Sequence, residues 1–146
     1  MGLAGDAAFR IKVSPDGSQF ATALEARPED GVVTVPCLMS GRVTVAEGTA
    51  VAIPTPGAGG MIAVSMVDTD YPQAAHSGIF AYDAGATLSL VTLAGGGSLE
   101  NLGAQVFTGT TGTAGQSSLA AAAGALQLEN RHGAVRHYAF TFINTF

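Results

Sequence analysis

His137-Tyr138-Ala139-Phe140-Thr141-Phe142 decides the fold, because aromatic side chains alternate there with smaller or polar ones at every second position. Successive side chains of a strand point to opposite faces, so a period of two predicts a β-strand with Tyr138, Phe140 and Phe142 turned towards a core. Working back towards the N-terminus, the same period recurs. Phe9, Ile11 and Val13 oppose Arg10 and Lys12; Val43 and Val45 oppose Arg42 and Thr44; Ile62, Val64 and Met66 oppose Ala63 and Ser65. Phe80 and Tyr82, then Leu88 and Leu90, continue it. Each run predicts a strand buried on one face.

Between the runs stand words that break a strand: Pro15-Asp16-Gly17-Ser18, Pro28-Glu29-Asp30-Gly31, Pro54-Thr55-Pro56-Gly57, Gly95-Gly96-Gly97 and Arg131-His132-Gly133. Proline fixes φ and glycine accepts positive φ, so these stretches turn the chain. Short strands separated by turns roughly every ten residues predict an all-β fold, an antiparallel β-sandwich or jelly-roll-like domain, instead of βαβ units. Ser117-Ser118-Leu119-Ala120-Ala121-Ala122-Ala123-Gly124 is the one stretch where propensity argues otherwise, since alanine is the best helix former. It carries no amphipathic stripe, Gly124 interrupts it, and Leu126 and Leu128 resume the alternation, so it too reads as a strand. A short helix over Phe20–Glu25 is the weaker alternative to a strand there. Residues 1–39 hold most of the Pro-Asp-Gly turns and few aromatics, which predicts a small N-terminal β module; 40–146 form the sandwich.

Composition constrains what such a fold does. The 146 residues are 47% hydrophobic and only 12% charged, half the ~25% of an ordinary soluble domain. An isolated small domain needs charge to cover its surface, so the deficit predicts that much of the surface is buried against further copies, as a homotrimer. Six Lys and Arg against eleven Asp and Glu give a net charge of −5, with Lys12 the only lysine; this offers no basic footprint for nucleic acid. No apolar run reaches the length of a membrane-spanning helix, and Met1-Gly2-Leu3-Ala4-Gly5-Asp6 lacks the regions of a signal peptide. The lone Cys37 excludes an intrachain disulfide and a thiolate zinc cluster, and its apolar surroundings predict a small buried hydrophobe.

Candidate chemistry is sparse. Asp68-Thr69-Asp70-Tyr71-Pro72-Gln73-Ala74-Ala75-His76 is the most polar loop of the main domain. Carboxylates, an aromatic face and an imidazole suit a sugar or a calcium ion. Asp68, Asp70, Tyr71 and His76 are accordingly the candidate receptor- or glycan-binding residues, against the plainer reading of a solvated loop whose aspartates stabilise a turn. The spacing matches no complete ion-binding loop. His132 and His137, with Arg131 and Arg136, surround the last hairpin, where an imidazole could sense pH or pair with Glu129; the plainer reading is a polar outer face. No Gly-x-Ser-x-Gly elbow is present, the glycine runs are not followed by Lys-Ser/Thr as a phosphate cradle would be, and Asp83 is the only near companion of Asp68 and Asp70 for a two-carboxylate cleft. The expectation is a non-catalytic protein with no cofactor and no metal.

Phe9-Arg10-Ile11-Lys12-Val13-Ser14-Pro15-Asp16-Gly17-Ser18-Gln19-Phe20, then Ala23-Leu24 and Gly31-Val32-Val33-Thr34-Val35-Pro36, resemble a module in tail-fibre proteins of tailed phages and gene transfer agents. Gly78 to Asp83, Gly109 to Thr113, Leu128-Glu129-Asn130-Arg131 and the aromatic ending look like the C-terminal β-domains of such fibres. The resemblance implies a hairpin followed by a strand at the N-terminus, a fibrous homotrimer on the virion surface, contacts with other virion proteins, and attachment to a host-surface glycan or protein. The alternatives carried forward are a capsid-decorating protein and a surface-glycan depolymerase.

Overall fold

A computed structural model describes residues 8–35, 38–70 and 73–143. The expected burial of Cys37, the aromatic contribution of Tyr71 and the reading of the first six residues fall outside the described residues. Among the described residues twelve strands follow in order: β1 (Phe9–Val13), β2 (Ala21–Ala26), β3 (Val33–Val35), β4 (Leu38–Val45), β5 (Thr49–Pro54), β6 (Gly59–Met66), β7 (Ser77–Asp83), β8 (Ser89–Gly95), β9 (Leu99–Ala104), β10 (Ser117–Ala122), β11 (Ala125–Asn130) and β12 (Arg136–Ile143). A 3₁₀ turn, Gln73–His76, leads into β7.

The strands form an eight-stranded sheet in the order β1-β2-β3-β4-β12-β6-β7-β8, packed against a four-stranded sheet, β5-β11-β10-β9. The fold is the all-β sandwich that the alternation predicts, and every ladder is antiparallel except β9 with β10. That pair is parallel because the chain does not turn back after β9; residues 105–116 return along the outside of the small sheet before β10 begins. The last strand enters the middle of the large sheet, pairing with β4 on one side and β6 on the other. The strand with the clearest alternation therefore sits where both of its edges are satisfied and one face is buried.

Between the sheets lie Phe80, Tyr138, Phe142, Ile62, Met66, Leu119, Leu126 and Leu128, each buried to within 2% or less of full exclusion; every such side chain contributes about 1.5–3 kcal/mol on burial. Tyr82 and Phe140 meet Phe142 edge to face, with ring centroids 5.5 and 5.8 Å away, an arrangement the ring quadrupole favours. The rings need room, and two glycines provide it: a Cβ on Gly41 would stand 2.7 Å from Phe140 Cζ, and one on Gly78 would stand 2.6 Å from Phe80 Cε2.

Ser117–Ala122 is the expected strand, and all but its last residue are buried, with no alternation. The large sheet covers one of its faces and the 105–116 segment covers the other, which is why small residues fill it. Phe20–Glu25 holds no helix; its residues from Ala21 onward lie in β2. β1 is exposed on both faces and not half-buried, because β1–β3 extend the large sheet beyond the reach of the four-stranded one. The hairpin β1–β2, closed around Asp16 and Gly17 (φ 73°), continues through β3 into β4 by ordinary ladder pairing. The boundary anticipated after Met39 thus lies within β4.

Candidate functional site

The polar loop that leaves β6 is anchored to the start of β12. Asp68 Oδ2 accepts the amide of His137 at 2.8 Å, and Oδ1 lies 2.8 Å from His137 Nδ1; a carboxylate only accepts, so this ring nitrogen carries the proton. Burial pushes the Asp68 carboxyl up, but the His137 amide and ring, with Arg136 nearby, more than offset it and hold the group below the usual carboxylate range. Asp70 receives Arg136 Nη1 on both oxygens, at 3.0 and 2.9 Å. Its own side chain stays 63% exposed while that of Arg136 is 7% exposed, so Asp70 caps a buried guanidinium.

Beneath this pair lies a second layer. The His76 and His132 rings meet edge to face with centroids 4.8 Å apart, and both imidazoles are buried. Ser117 Oγ sits 3.0 Å from His132 Nε2 and 2.7 Å from the Tyr138 hydroxyl. Burial pushes both imidazoles below the ordinary histidine range and pushes the Tyr138 phenol up to about 12. Asn130 shapes the turn that delivers His132: its Nδ2 donates to the carbonyls of Val45 and Ala134, and its Oδ1 accepts from the amide of His132. Glu47 Oε2 closes the same turn by accepting from Gly133 at 2.6 Å.

A second polar cluster lies on the outer face of the small sheet. Register places Glu100, Ser118 and Glu129 side by side on β9, β10 and β11. Glu129, fully buried, accepts the amides of Thr111 at 3.0 Å and Gly112 at 2.6 Å. Glu100 Oε2 accepts from the Thr113 amide at 2.9 Å and the Ser118 hydroxyl at 2.8 Å. Gln127 Oε1 takes the Phe107 amide at 2.6 Å, and Arg131 Nη1 donates to the Gly112 carbonyl. Together they pin residues 105–116 as a strap of threonines and glycines across the strands. Gly112 has to be glycine here, since a Cβ would overlap Ser118 Oγ.

Of the four candidate binding residues, Asp68 and Asp70 are tied to His137 and Arg136, His76 is buried against His132, and Tyr71 lies outside the described residues. All three described residues gather at one end of the sandwich, but their polar atoms turn towards neighbouring side chains. His132 pairs with Ser117, not with Glu129, because the Glu129 side chain leaves the opposite face of β11 and is taken by the strap. Among the described residues no group of three or more His, Cys, Asp or Glu side chains stands close enough to hold a metal ion, and no helix is long and apolar enough to cross a membrane. Sequence reading missed the strap cluster. Its signal was the repeated word Leu-Glu-Asn, at 99–101 and 128–130, which brackets Ser118 on both sides.

Geometry and topology define the chain as a two-sheet β-sandwich with a strapped small sheet and an N-terminal hairpin extending the large one. Compared with known proteins, the chain matches no family, no curated protein and no solved structure.

Proposed function

We propose that this protein is a structural and attachment component of a virus-like particle, a tail fibre or spike that works as a homotrimer. The observation that carries the reading is the β1–β3 extension: a hairpin and strand that lengthen the large sheet while exposing Phe9, Ile11 and Val13 by 45%, 47% and 54%. A strand such as β1, bare on both faces, contributes little to its own domain, and apolar side chains held at the surface in register suit a joint to a neighbouring component. The ionisable groups favour binding over catalysis. Asp68, Asp70, Glu100 and Glu129 are each engaged by backbone amides or by side chains of the same fold. Recognition falls to the loops, where the hydroxyl-rich strap and the exposed Asp70 side chain are held by rigid strands, and three copies turn weak contacts into avidity.

Immunogold labelling of purified particles, together with binding of the isolated protein to host cells, tests the proposal. Label at the tail end and saturable cell binding are the expected results. Label distributed over the head would replace the fibre with a capsid-decorating role, and release of new reducing ends from host polysaccharide would replace it with depolymerase activity.

A further inference from the structure

We propose that the outer face of the eight-stranded sheet is the wall along which copies of this chain pack around a common axis. The ladder pairings define two adjacent rows on that face. One runs Val35, Leu38, Ile143, Met61, Ala81, Val91 across β3, β4, β12, β6, β7 and β8, and none of the six carries a polar side chain. Ile11 and Leu24, paired across β1 and β2, prolong it. The next row runs from Phe9 and Ala26 through Val33, Ser40, Thr141, Ala63 and Ile79 to Ala94 and again holds no charge. A solvent-facing sheet alternates apolar-in with polar-out; along these two rows the outer side is apolar too but for Ser40 and Thr141. Six of the eleven large hydrophobics exposed among the described residues, Phe9, Ile11, Val33, Leu38, Ile79 and Val91, stand on these two rows, so the exposure is concentrated and not scattered.

Charge and shape together favour a second copy as the occupant. A residue near a symmetry axis meets its own equivalent, and a charge there would face a like charge; neither row holds an ionisable group, and the nearest ones, Asp30 and Arg42 at the second hollow, His137 and Asp83, stand off the two rows. A membrane or nucleic acid would require a basic fringe, and the chain has six Lys and Arg in all. Two shallow hollows of about 480 and 430 Å³ flank β12; mostly small side chains line the first, into which bulkier residues of a neighbouring copy can seat, while Asp30 and Arg42 join the lining of the second. Eight strands spaced ~4.8 Å apart, with two rows spanning about three residues of each, give a flat footprint on the order of 400 Å², about half the ~800 Å² per partner of a standard interface, so the wall forms the apolar centre of a wider contact. At one end of the wall β8 is the last strand of the large sheet, with Val91 and Leu93 exposed by 55% and 54% and its Leu90 carbonyl taken by Asn101 Nδ2.

The inference rests on the self-association in the reading above and not on the attachment role. Light scattering at micromolar concentration tests it on the full chain. Wild type is expected at three times the 14.6 kDa chain mass, and Ile79→Lys and Met61→Glu are expected at the monomer mass with an unchanged far-ultraviolet spectrum. Should those variants not fold, Ile79→Cys is to be compared with Val135→Cys, positions 43% and 50% exposed in the protomer, for the rate of maleimide labelling resolved by peptide mass spectrometry. Labelling markedly slower at position 79 supports the wall. Equal rates, or charge variants that keep the wild-type mass, overturn it while leaving self-association through another surface. A monomeric wild type overturns both.

Discussion

Replacing Glu129 by alanine should free the strap from the small sheet, and the structure sets the size of the effect. The carboxylate accepts two backbone amides, Thr111 and Gly112, at 3.0 and 2.6 Å, on a residue with no exposed surface. Each amide left without an acceptor costs about 1–3 kcal/mol. Part of this is recovered because a charged group no longer has to be held away from water, and the strap can lift so that water reaches the amides. A net loss of about 2–4 kcal/mol follows, against the ~5–15 kcal/mol total of a typical domain. With a urea slope of ~1–3 kcal/mol per molar, the unfolding midpoint should fall by about 1–2 M at fixed protomer concentration. Glu129→Gln retains one acceptor oxygen but turns an amide donor towards the other N–H, so it should lose at least half as much. Hydrogen exchange on a peptide covering 105–116 should speed up in both variants, while exchange in β12 stays slow. If both variants unfold within about 0.5 kcal/mol of wild type with the strap amides still protected, the carboxylate does not hold the strap.

Further outcomes follow from the same contacts. Phe140→Asp buries a carboxylate against Gly41 and Phe142 and should cost more than about 3 kcal/mol in denaturant melts, whereas Thr141→Asp, one residue on and on the outer face, should spare the protomer fold; equal costs would mean that the register of β12 is wrong. The His76 and His132 imidazoles have folded pKa values below their ordinary 6.5, so the unfolded chain takes up protons first on acidification. Their contribution to stability is complete above about pH 6.5 and is lost as pH falls below it; a melting temperature that stays flat between pH 7 and 5, or falls as steeply in His132→Phe, would contradict this. Gly96→Ala would drive a Cβ into the Ala74 and Ala75 carbonyls of the 3₁₀ turn and should lower thermal stability by several degrees, with Gly97→Ala, whose Cβ meets nothing within 4 Å, as the silent control.

The sequence by itself determined that the chain is built of strands, where most of them lie, and which face of β4, β6, β7 and β12 turns inward. Pleat alternation is a local property, written in the side chains of the strand itself, and so are the turns at Pro15–Ser18 and Gly95–Gly97. Tertiary structure decided everything that depends on which strands become neighbours. β1 has the same alternation as β6, yet one is bare and the other buried, because burial is set by whether a second sheet lies opposite. The alanines of β10 show no period, because the strap at 105–116, just upstream, covers the face that a pattern-based reading leaves to solvent. Asp68 and His137, His76 and His132, and Glu100 and Glu129 each meet only through the insertion of β12 beside β6, the turn after β11, or the pairing of both β9 and β11 with β10. Residue types at such distances along the chain carry no record of register, and the free energy that fixes it is shared among all the ladders at once.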